Sequence, residues 1–190
     1  MKSLISTRVG VFFLSLVLCI GIGTAMAAEE YTITDPGTLG DNWSRAGAVN
    51  GTGQVVGSSS IPNSAMHAFL WSDGNMIDLG TPQGFSVSSA ASLNDSGQVV
   101  ATTQGKFQSE YAYLWENGMW TYPGSLPNLA YSATADINNS SQIAGYSFML
   151  GPGGGFRGWL WNNGVLTDLG SLGGEDSLAA SINELGQIVG

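Results

Sequence analysis

Residues 48–57 read AVNGTGQVVG, and the phrase returns as SLNDSGQVVA at 92–101, DINNSSQIAG at 136–145 and SINELGQIVG at 181–190. The shared asparagines are Asn50, Asn94, Asn138 and Asn183, in steps of 44, 44 and 45 residues. A fixed period of about 20–50 residues is typical of repeated supersecondary units that bury their apolar faces against one another. The sequence therefore predicts a stacked repeat protein.

The phrase itself has the chemistry of a hairpin turn. The asparagine side chain opens a type I turn, and Gly53, Gly97 and Gly186 supply the left-handed residue of a bulge. Ser141 takes that place in the third copy, where a residue other than glycine costs about 1 kcal/mol. We therefore expect the third turn to be the least well formed.

A second hairpin is predicted by an aromatic strand followed by an Asp-Gly or Asn-Gly turn. The strands are HAFLW at 67–71, YAYLW at 111–115 and RGWLW at 157–161. Their turns end at Gly74, Gly118 and Gly164, and such a dipeptide between apolar strands is a strong hairpin signal. Each strand ends in a tryptophan, and we expect core packing for Trp71, Trp115 and Trp161.

Four short strands in two hairpins, repeated about every 44 residues, predict an all-β, β-propeller-like array. Aromatic and aliphatic side chains alternate on the strand Tyr111–Trp115, which indicates that both faces of a sheet meet neighbours. A β-solenoid is the competing architecture. We predict a partial unit at 31–57, with a strand at 33–37, and units at 61–101, 105–145 and 151–190, about 3.75 units in all. The incomplete count predicts self-association through open sheet edges or a fragment of a longer protein.

Several of these residues carry a family resemblance. HAFLW at 67–71, Asp-Leu-Gly at 78–80 and 168–170, SLGG at 171–174 and the Ile-Asn-x-x-Gly-Gln pattern at 182–187 together resemble the HAF extracellular repeat family over residues 31–190. The resemblance implies a secreted bacterial protein with propeller-like repeats, and it brings no catalytic residues. The third copy departs from the pattern, because Tyr122-Pro123-Gly124 stands in place of Asp-Leu-Gly.

The first 27 residues have the features of a secretory signal peptide. Lys2 and Arg8 precede an apolar run over residues 9–23, and residues 25–27 read Ala-Met-Ala, a pattern typical of a cleavage site. The apolar run is shorter than the roughly 20 residues that span a bilayer. We therefore predict a signal peptide at 1–27, removal near Ala27, a mature domain at 28–190 without a membrane span, and an extracellular or periplasmic location.

The mature chain is strongly acidic. Arg45, Lys106 and Arg157 are its basic residues against 14 acidic residues, a formal net charge of −11, and Cys19 leaves with the signal peptide. Nucleic acid phosphates would be repelled by such a charge. Without cysteine the mature chain forms no disulfide or cysteine metal cluster. The expected partner is an extracellular glycan or protein.

Carboxylates are the first group of candidate binding residues. Asp35, Asp78 and Asp168 recur two residues before a glycine, either as a ring of cation ligands or as caps that accept local backbone N–H groups. Tyr122 at the corresponding place of the third copy favours the caps. The segment 94–97 reads Asn-Asp-Ser-Gly and resembles part of a calcium loop, but its internal counterparts vary, which favours turn chemistry. We predict no cofactor, with calcium as the alternative.

Two rings complete the candidates. His67, the single histidine, corresponds to Tyr111 and Arg157, which favours a packing or strand-edge role over general base catalysis. Trp43 corresponds to residues as different as Val87 and Asp176, and a variable loop aromatic suits stacking on a sugar ring, with packing under the loop as the alternative.

These observations predict a secreted binding module without enzymatic activity. Two alternatives stay open. One is a carboxylate-based polysaccharide hydrolase or lyase, because pairs of carboxyl groups cleave glycosidic bonds. The other is a calcium-stabilised structural surface repeat.

Overall fold

A computed structural model describes residues 32–63, 65–106, 109–149 and 154–190. The chain divides into Met1–Thr34 and Asp35–Gly190, and all described strands belong to the second unit. The predicted signal peptide lies outside the described residues. Over the described ranges, no helix is long and apolar enough to cross a membrane.

The described residues form three four-stranded sheets and one two-stranded sheet, all antiparallel. Neighbouring strands in each sheet follow one another in the chain, so each sheet is a meander. The first sheet contains β1 (Ser44–Val49), β2 (Val55–Ser60), β3 (Met66–Ser72) and β4 (Asn75–Gly80). The second contains β5 (Val87–Leu93), β6 (Val99–Gln104), β7 (Glu110–Glu116) and β8 (Met119–Thr121). The third contains β9 (Tyr131–Ile137), β10 (Ile143–Phe148), β11 (Phe156–Asn162) and β12 (Val165–Asp168), and the fourth contains β13 (Ser181–Ile182) and β14 (Ile188–Val189). The prediction of an all-β protein built on four-stranded units is confirmed.

The two-residue turns have the backbone that their sequence demands. Asp73, Asn117 and Asn163 have φ values of 51°, 50° and 50°, and the glycine after each has a φ between 81° and 84°. Positive φ at both central residues defines the type I′ turn, whose twist matches that of the flanking strands. These turns join β3 to β4, β7 to β8 and β11 to β12.

The turn at Ser141 corrects one expectation. Ser141 has a φ of 60°, and its N–H donates to the Asn138 carbonyl at 3.1 Å, the same length as the Gly97 bond in the second copy. The third turn is therefore as well formed as the others, and the expectation of a poorer turn is wrong. The serine hydroxyl donates to Gln98 Oε1 of the preceding copy at 2.7 Å, a bond that glycine does not make and that offsets the strain of positive φ.

Successive sheets pack against one another through clusters of apolar side chains. Val99 and Trp115 of the second sheet contact a cluster that includes Leu70 of the first. Val100 and Leu114, on the opposite face of the second sheet, join Ile143 and Trp159 of the third sheet in another cluster. Trp161 packs on that second cluster as well. The second sheet is therefore covered on both sides, as its alternating sequence predicts.

The first strands of the sheets carry much of this stacking. β5 lies against β1, β2 and β3 of the first sheet, and β9 lies against β5, β6 and β7 of the second. β13 continues the series on β9 and β10. The first strands thus follow one another from sheet to sheet.

The boundaries of the sheets differ from the units read off the sequence. The unit at 61–101 contains β3 and β4 of the first sheet together with β5 and β6 of the second. The period fixes the length of a repeat but not its starting point, and β2 pairs with β3 over six residue pairs across the predicted boundary at 57–61.

The strand predicted at 33–37 is also wrong, because residues 32–38 form no strand. β4 and β12 occupy the equivalent positions, and each forms by pairing with the strand before it. Residues 33–37 have no such partner in the part of the chain that the structure describes.

Candidate functional site

The two ends of each four-stranded sheet differ in character. Because the strands alternate in direction, the Asn-x-x-Gly turns and the type I′ turns fall at the same end, which we call the turn end. The opposite end carries the starts of the first and third strands, and we call it the loop end. The repeat asparagines and turn glycines lie at the turn end, whereas Trp43, Asp78 and Asp168 lie at the loop end.

Each repeat asparagine fastens its own turn. Asn94 Oδ1 accepts the backbone N–H groups of Ser96 and Gln98 at 3.1 Å, and its Nδ2 donates to Gln98 Oε1 at 2.6 Å. The other three copies repeat the bond between the asparagine amide and the glutamine four residues on. The glutamine of each Asn-x-x-Gly-Gln phrase is therefore the hydrogen-bond partner of the asparagine. Its position at the start of a strand did not indicate this role.

The same asparagines also connect neighbouring sheets. Asn50 Nδ2 donates to the Asn94 carbonyl at 3.0 Å, and Asn94 Nδ2 donates to the Asn138 carbonyl at 3.2 Å. Asn138 Nδ2 donates to the Asn183 carbonyl at 3.0 Å. The asparagines thus form a ladder along the turn end, and its rungs have the period of the sequence repeat.

The residue after each asparagine forms a second ladder. Asp95 Oδ1 accepts the Gly51 N–H at 2.7 Å, and Asn139 Oδ1 accepts the Asp95 N–H at 2.8 Å. Glu184 Oε2 accepts the Asn139 N–H at 3.1 Å, and Asn139 Nδ2 donates to Asp95 Oδ2 at 2.9 Å. Both carboxylate oxygens of Asp95 are therefore used between turns, so the calcium-like segment at 94–97 has a structural explanation.

The three recurring aspartates bond to backbone in the same way. Oδ1 of Asp35, Asp78 and Asp168 accepts the N–H of the glycine two residues on, at 2.9, 2.7 and 2.7 Å. Those glycines have φ values of 82°, 65° and 70°, which other residues rarely adopt. This is the bond of the capping alternative. Within the described ranges, no group of three or more His, Cys, Asp or Glu side chains is placed to hold a metal ion.

At the loop end, each four-stranded sheet has a pair of corresponding residues. One lies near the start of its third strand, and the other occupies the position that Asp78 has in the first sheet. In the first sheet His67 Nδ1 lies 2.9 Å from Asp78 Oδ1, an ion pair when the imidazole is protonated. In the second sheet the corresponding rings of Tyr111 and Tyr122 pack with centroids 5.8 Å apart. In the third sheet the corresponding residues are Arg157 and Asp168, and a cleft of about 490 Å³ lies between them. We call this the pair position.

The residues that lie directly opposite one another on the first three strands of a sheet form a row across it. Comparing these rows between sheets shows where the repeats agree and where they differ. At the turn end the rows share branched aliphatic residues and a tryptophan: Val49–Val55–Trp71, Leu93–Val99–Trp115 and Ile137–Ile143–Trp161. At the loop end the rows have little in common: Trp43–Ser60–Met66, Val87–Gln104–Glu110 and Tyr131–Phe148–Phe156. The outermost row is therefore similar between copies at the turn end and different at the loop end. One residue inward at the loop end, the copies agree again: Ser88, Ser132 and Ser177 each accept, at Oγ, a backbone N–H from the sheet before, at 2.8, 3.0 and 3.1 Å.

A cleft opens beside the loop-end row of the first sheet. It has a volume of about 370 Å³, and its lining includes Trp43, Arg45, Met66 and the hydroxyl-bearing Ser58 and Ser89. The Trp43 side chain leaves the residue 43% exposed, while its carbonyl accepts the Ser60 N–H at 2.9 Å. The backbone of Trp43 is thus fixed, and its ring stays accessible at the cleft.

Another cleft, of about 420 Å³, opens beside the loop-end row of the third sheet. Phe156, Arg157, Glu175 and Asp176 are among its lining residues, and Phe156 is 39% exposed. Asp176 corresponds to Trp43 in the repeat, so the same position carries an aromatic ring in one copy and a carboxylate in another.

Tyrosines near the loop end are held in their neutral form. Burial raises the pKa of Tyr113, and the nearby Tyr122 and Tyr111 raise it further. Burial also raises the pKa of Tyr146, with a smaller contribution from the charge of Glu110. These phenol groups are therefore uncharged hydrogen-bonding groups at neutral pH.

Asp136 was not singled out by the sequence pattern. Its Oδ1 accepts the Ser92 hydroxyl at 2.7 Å, and its Oδ2 accepts the Ser181 hydroxyl at 2.6 Å. One carboxylate thus joins the second, third and fourth sheets. The sequence contains a sign of this contact: positions 92, 136 and 181 are equivalent in the repeated phrase, and they carry serine, aspartate and serine.

The sequence matches no protein-family model, and no curated protein is similar to it. The resemblance to the HAF extracellular repeats therefore stays a prediction.

Proposed function

We propose that this chain is a secreted, non-catalytic repeat scaffold whose loop end binds an extracellular glycan or protein. The observation that carries the proposal is the contrast between the two ends of the sheets. The three turn-end rows share a tryptophan and branched aliphatic residues, whereas the three loop-end rows differ at every position. The sheets also stack near the loop end through serines that recur in each copy, so stacking does not require the outermost loop-end row to differ, and its divergence suits a surface adapted to a ligand.

Exposed aromatic rings support the same end. Trp43, Tyr122 and Phe156 are 43%, 42% and 39% exposed, and Trp43 and Phe156 each line a cleft. Rigid aromatic side chains are enriched in binding surfaces because they offer a large contact area with little loss of conformational entropy.

We further propose a propeller-like arrangement of the sheets. The contacts between successive first strands support this, since blades of a propeller meet most closely at their first strands, and each blade covers a face of the next. In such an array the loop ends of all sheets lie on one side, which would combine their variable rows into a single surface.

A binding screen with matched variants tests the function. The protein is screened against immobilised polysaccharides and used in pull-downs of secreted proteins, beside the variants Trp43→Ala and Met119→Ala. Met119 is a 69% exposed apolar residue at the turn end, so its loss controls for general stickiness. We expect Trp43→Ala to weaken a specific interaction while Met119→Ala leaves it unchanged. Equal effects of the two variants, or the lack of any specific partner, would contradict the proposal.

A further inference from the structure

The pair position differs among the three sheets in one respect that points to a ligand. In the first sheet the His67–Asp78 contact closes it. In the second sheet Tyr111 and Tyr122 fill it, and the ring of Phe85 packs on Tyr111 at 5.5 Å. In both copies the two side chains at this position contact each other.

The third sheet leaves the same position open. Arg157 and Asp168, both within the described residues, form no ion pair with each other, and the cleft between them is walled by Leu126, Pro127 and Leu129. Leu129 stands 44 residues after Phe85, and it is too small to fill the space that the phenylalanine fills in the second sheet. An Arg–Asp pair that is brought to one cleft but not joined has hydrogen-bonding capacity left for a ligand.

The carboxylate of this cleft is oriented by a bond to the backbone. Asp168 Oδ1 accepts the Gly170 N–H at 2.7 Å, which leaves Oδ2 to accept another donor. Arg157 forms no salt bridge within the described residues, and its guanidinium carries five N–H donors. A carboxylate that is already held, as Asp168 is, binds a ligand with a smaller loss of conformational entropy.

Arg157 also borders the neighbouring cleft of about 420 Å³ with Phe156 and Asp176. Asp176 Oδ1 accepts the Phe156 N–H at 2.8 Å, and its second oxygen is not used for that bond. Arg157 and Leu129 therefore line both clefts, one with the backbone-held Asp168 and the other with the backbone-held Asp176. Each cleft is within the range of about 300–1,000 Å³ that small-ligand sites occupy.

We propose that the two clefts on either side of Arg157 bind adjacent neutral sugar residues of a glycan chain. A sugar offers hydroxyl groups that donate to the carboxylates and accept from the guanidinium, and its C–H faces suit the Leu126, Leu129 and Phe156 walls. Anionic sugars are disfavoured, because Asp168, Glu175 and Asp176 outnumber the single cation. This inference rests on the proposed binding function and names its ligand class.

The test is calorimetric titration of the protein with neutral oligosaccharides of glucose, mannose and xylose, and with an oligogalacturonate as the anionic contrast. The variants are Arg157→Gln and Asp168→Asn, and His67→Gln is the matched control at the closed pair position of the first sheet. We expect a neutral oligosaccharide to bind about tenfold or more weakly to each of the first two variants, the loss that follows from removing a hydrogen bond to a charged group. His67→Gln should bind like the unaltered protein.

Hydrogen exchange on the unaltered protein supplies a measurement that does not depend on the variants folding. A bound sugar should slow amide exchange in β11 and at Gly170, next to the two clefts. Neutral-sugar binding that is insensitive to Arg157→Gln but lost in Trp43→Ala would overturn the sugar site and leave the binding function intact. Binding of the oligogalacturonate alone, or of a protein partner alone, would also overturn the neutral-sugar site and leave the binding function intact. If no screen detects a partner, both the sugar site and the proposed binding function are contradicted.

Discussion

Replacement of Asn94 by alanine tests whether the asparagine ladder joins one sheet to the next. The residue is 3% exposed, and its side chain takes part in four hydrogen bonds, three inside its own turn and one to the Asn138 carbonyl. Each contributes roughly 0.5–1.5 kcal/mol, and water does not easily reach the groups left behind. We expect the free energy of unfolding to fall by about 3–4 kcal/mol.

Asn183 provides a matched control. Its side chain makes the same three bonds within its own turn, to the N–H groups of Leu185 and Gln187 and to Gln187 Oε1, but it is exposed. Because water replaces those bonds at an exposed site, Asn183→Ala should cost only about 1 kcal/mol. Urea unfolding monitored by tryptophan fluorescence measures both variants. Equal losses for the two would refute the argument that the ladder between sheets contributes to stability.

Three further outcomes are expected. Asp136→Ala should lower the free energy of unfolding by about 2–3 kcal/mol, because it removes charge-assisted hydrogen bonds to two neighbouring sheets. A double-mutant cycle with Ser92→Ala should show a coupling energy above about 0.5 kcal/mol, and additive effects would contradict the direct bond. Ser141→Ala should lower the free energy of unfolding by about 1 kcal/mol, because alanine loses the bond to Gln98 and keeps the positive φ. Ser141→Gly should leave it nearly unchanged, because the relief of backbone strain offsets the lost bond. Identical effects of the two changes would show that the hydrogen bond of Ser141 does not offset the strain. The pKa of Tyr113 is raised by burial, so its stabilising contribution is complete below about pH 10 and is lost as the pH rises through the higher pKa of the folded state. Absorbance titration at alkaline pH should show late-titrating phenols, of which Tyr113→Phe removes one and leaves that of Tyr146; an unchanged late absorbance change in that variant would argue against the assignment.

The sequence predicted the local elements well because their chemistry is local. The type I′ turns follow from dipeptides such as Asn117-Gly118, whose backbone preference does not depend on the rest of the chain. The period of 44–45 residues likewise predicted equivalent sheets. The bonds between sheets could not be read in the same way. Nothing local shows that the Asn94 amide reaches Asn138, or that Asp136 accepts bonds from two other repeats, because these partners meet only after the sheets stack.

The starting point of a repeat is also hidden from the sequence. A period is unchanged by any shift of the frame, so the motifs alone could not tell whether β3 pairs with β2 before it or begins a new sheet. The candidate site was predicted only in part for a related reason. Trp43 was found because its counterparts differ, but the cleft that Arg157 and Asp168 line is closed on another side by Leu129, which belongs to the loop before β9.

The bonds between sheets do not use the exposed ring of Trp43, and this leads to a last prediction. The asparagine ladder joins the sheets at the turn end, and the recurring Ser88, Ser132 and Ser177 join them near the loop end. A half-exposed side chain such as Trp43 then adds little to folding, so Trp43→Ala should lower the free energy of unfolding by less than about 1 kcal/mol. The same change should weaken ligand binding, whereas Asn94→Ala should lower stability and leave the affinity of the remaining folded protein unchanged. Paired measurements of urea unfolding and binding on these two variants decide the matter. A large loss of stability in Trp43→Ala would show that the ring is packing under its loop, and the variable end would then need an explanation from folding instead of recognition.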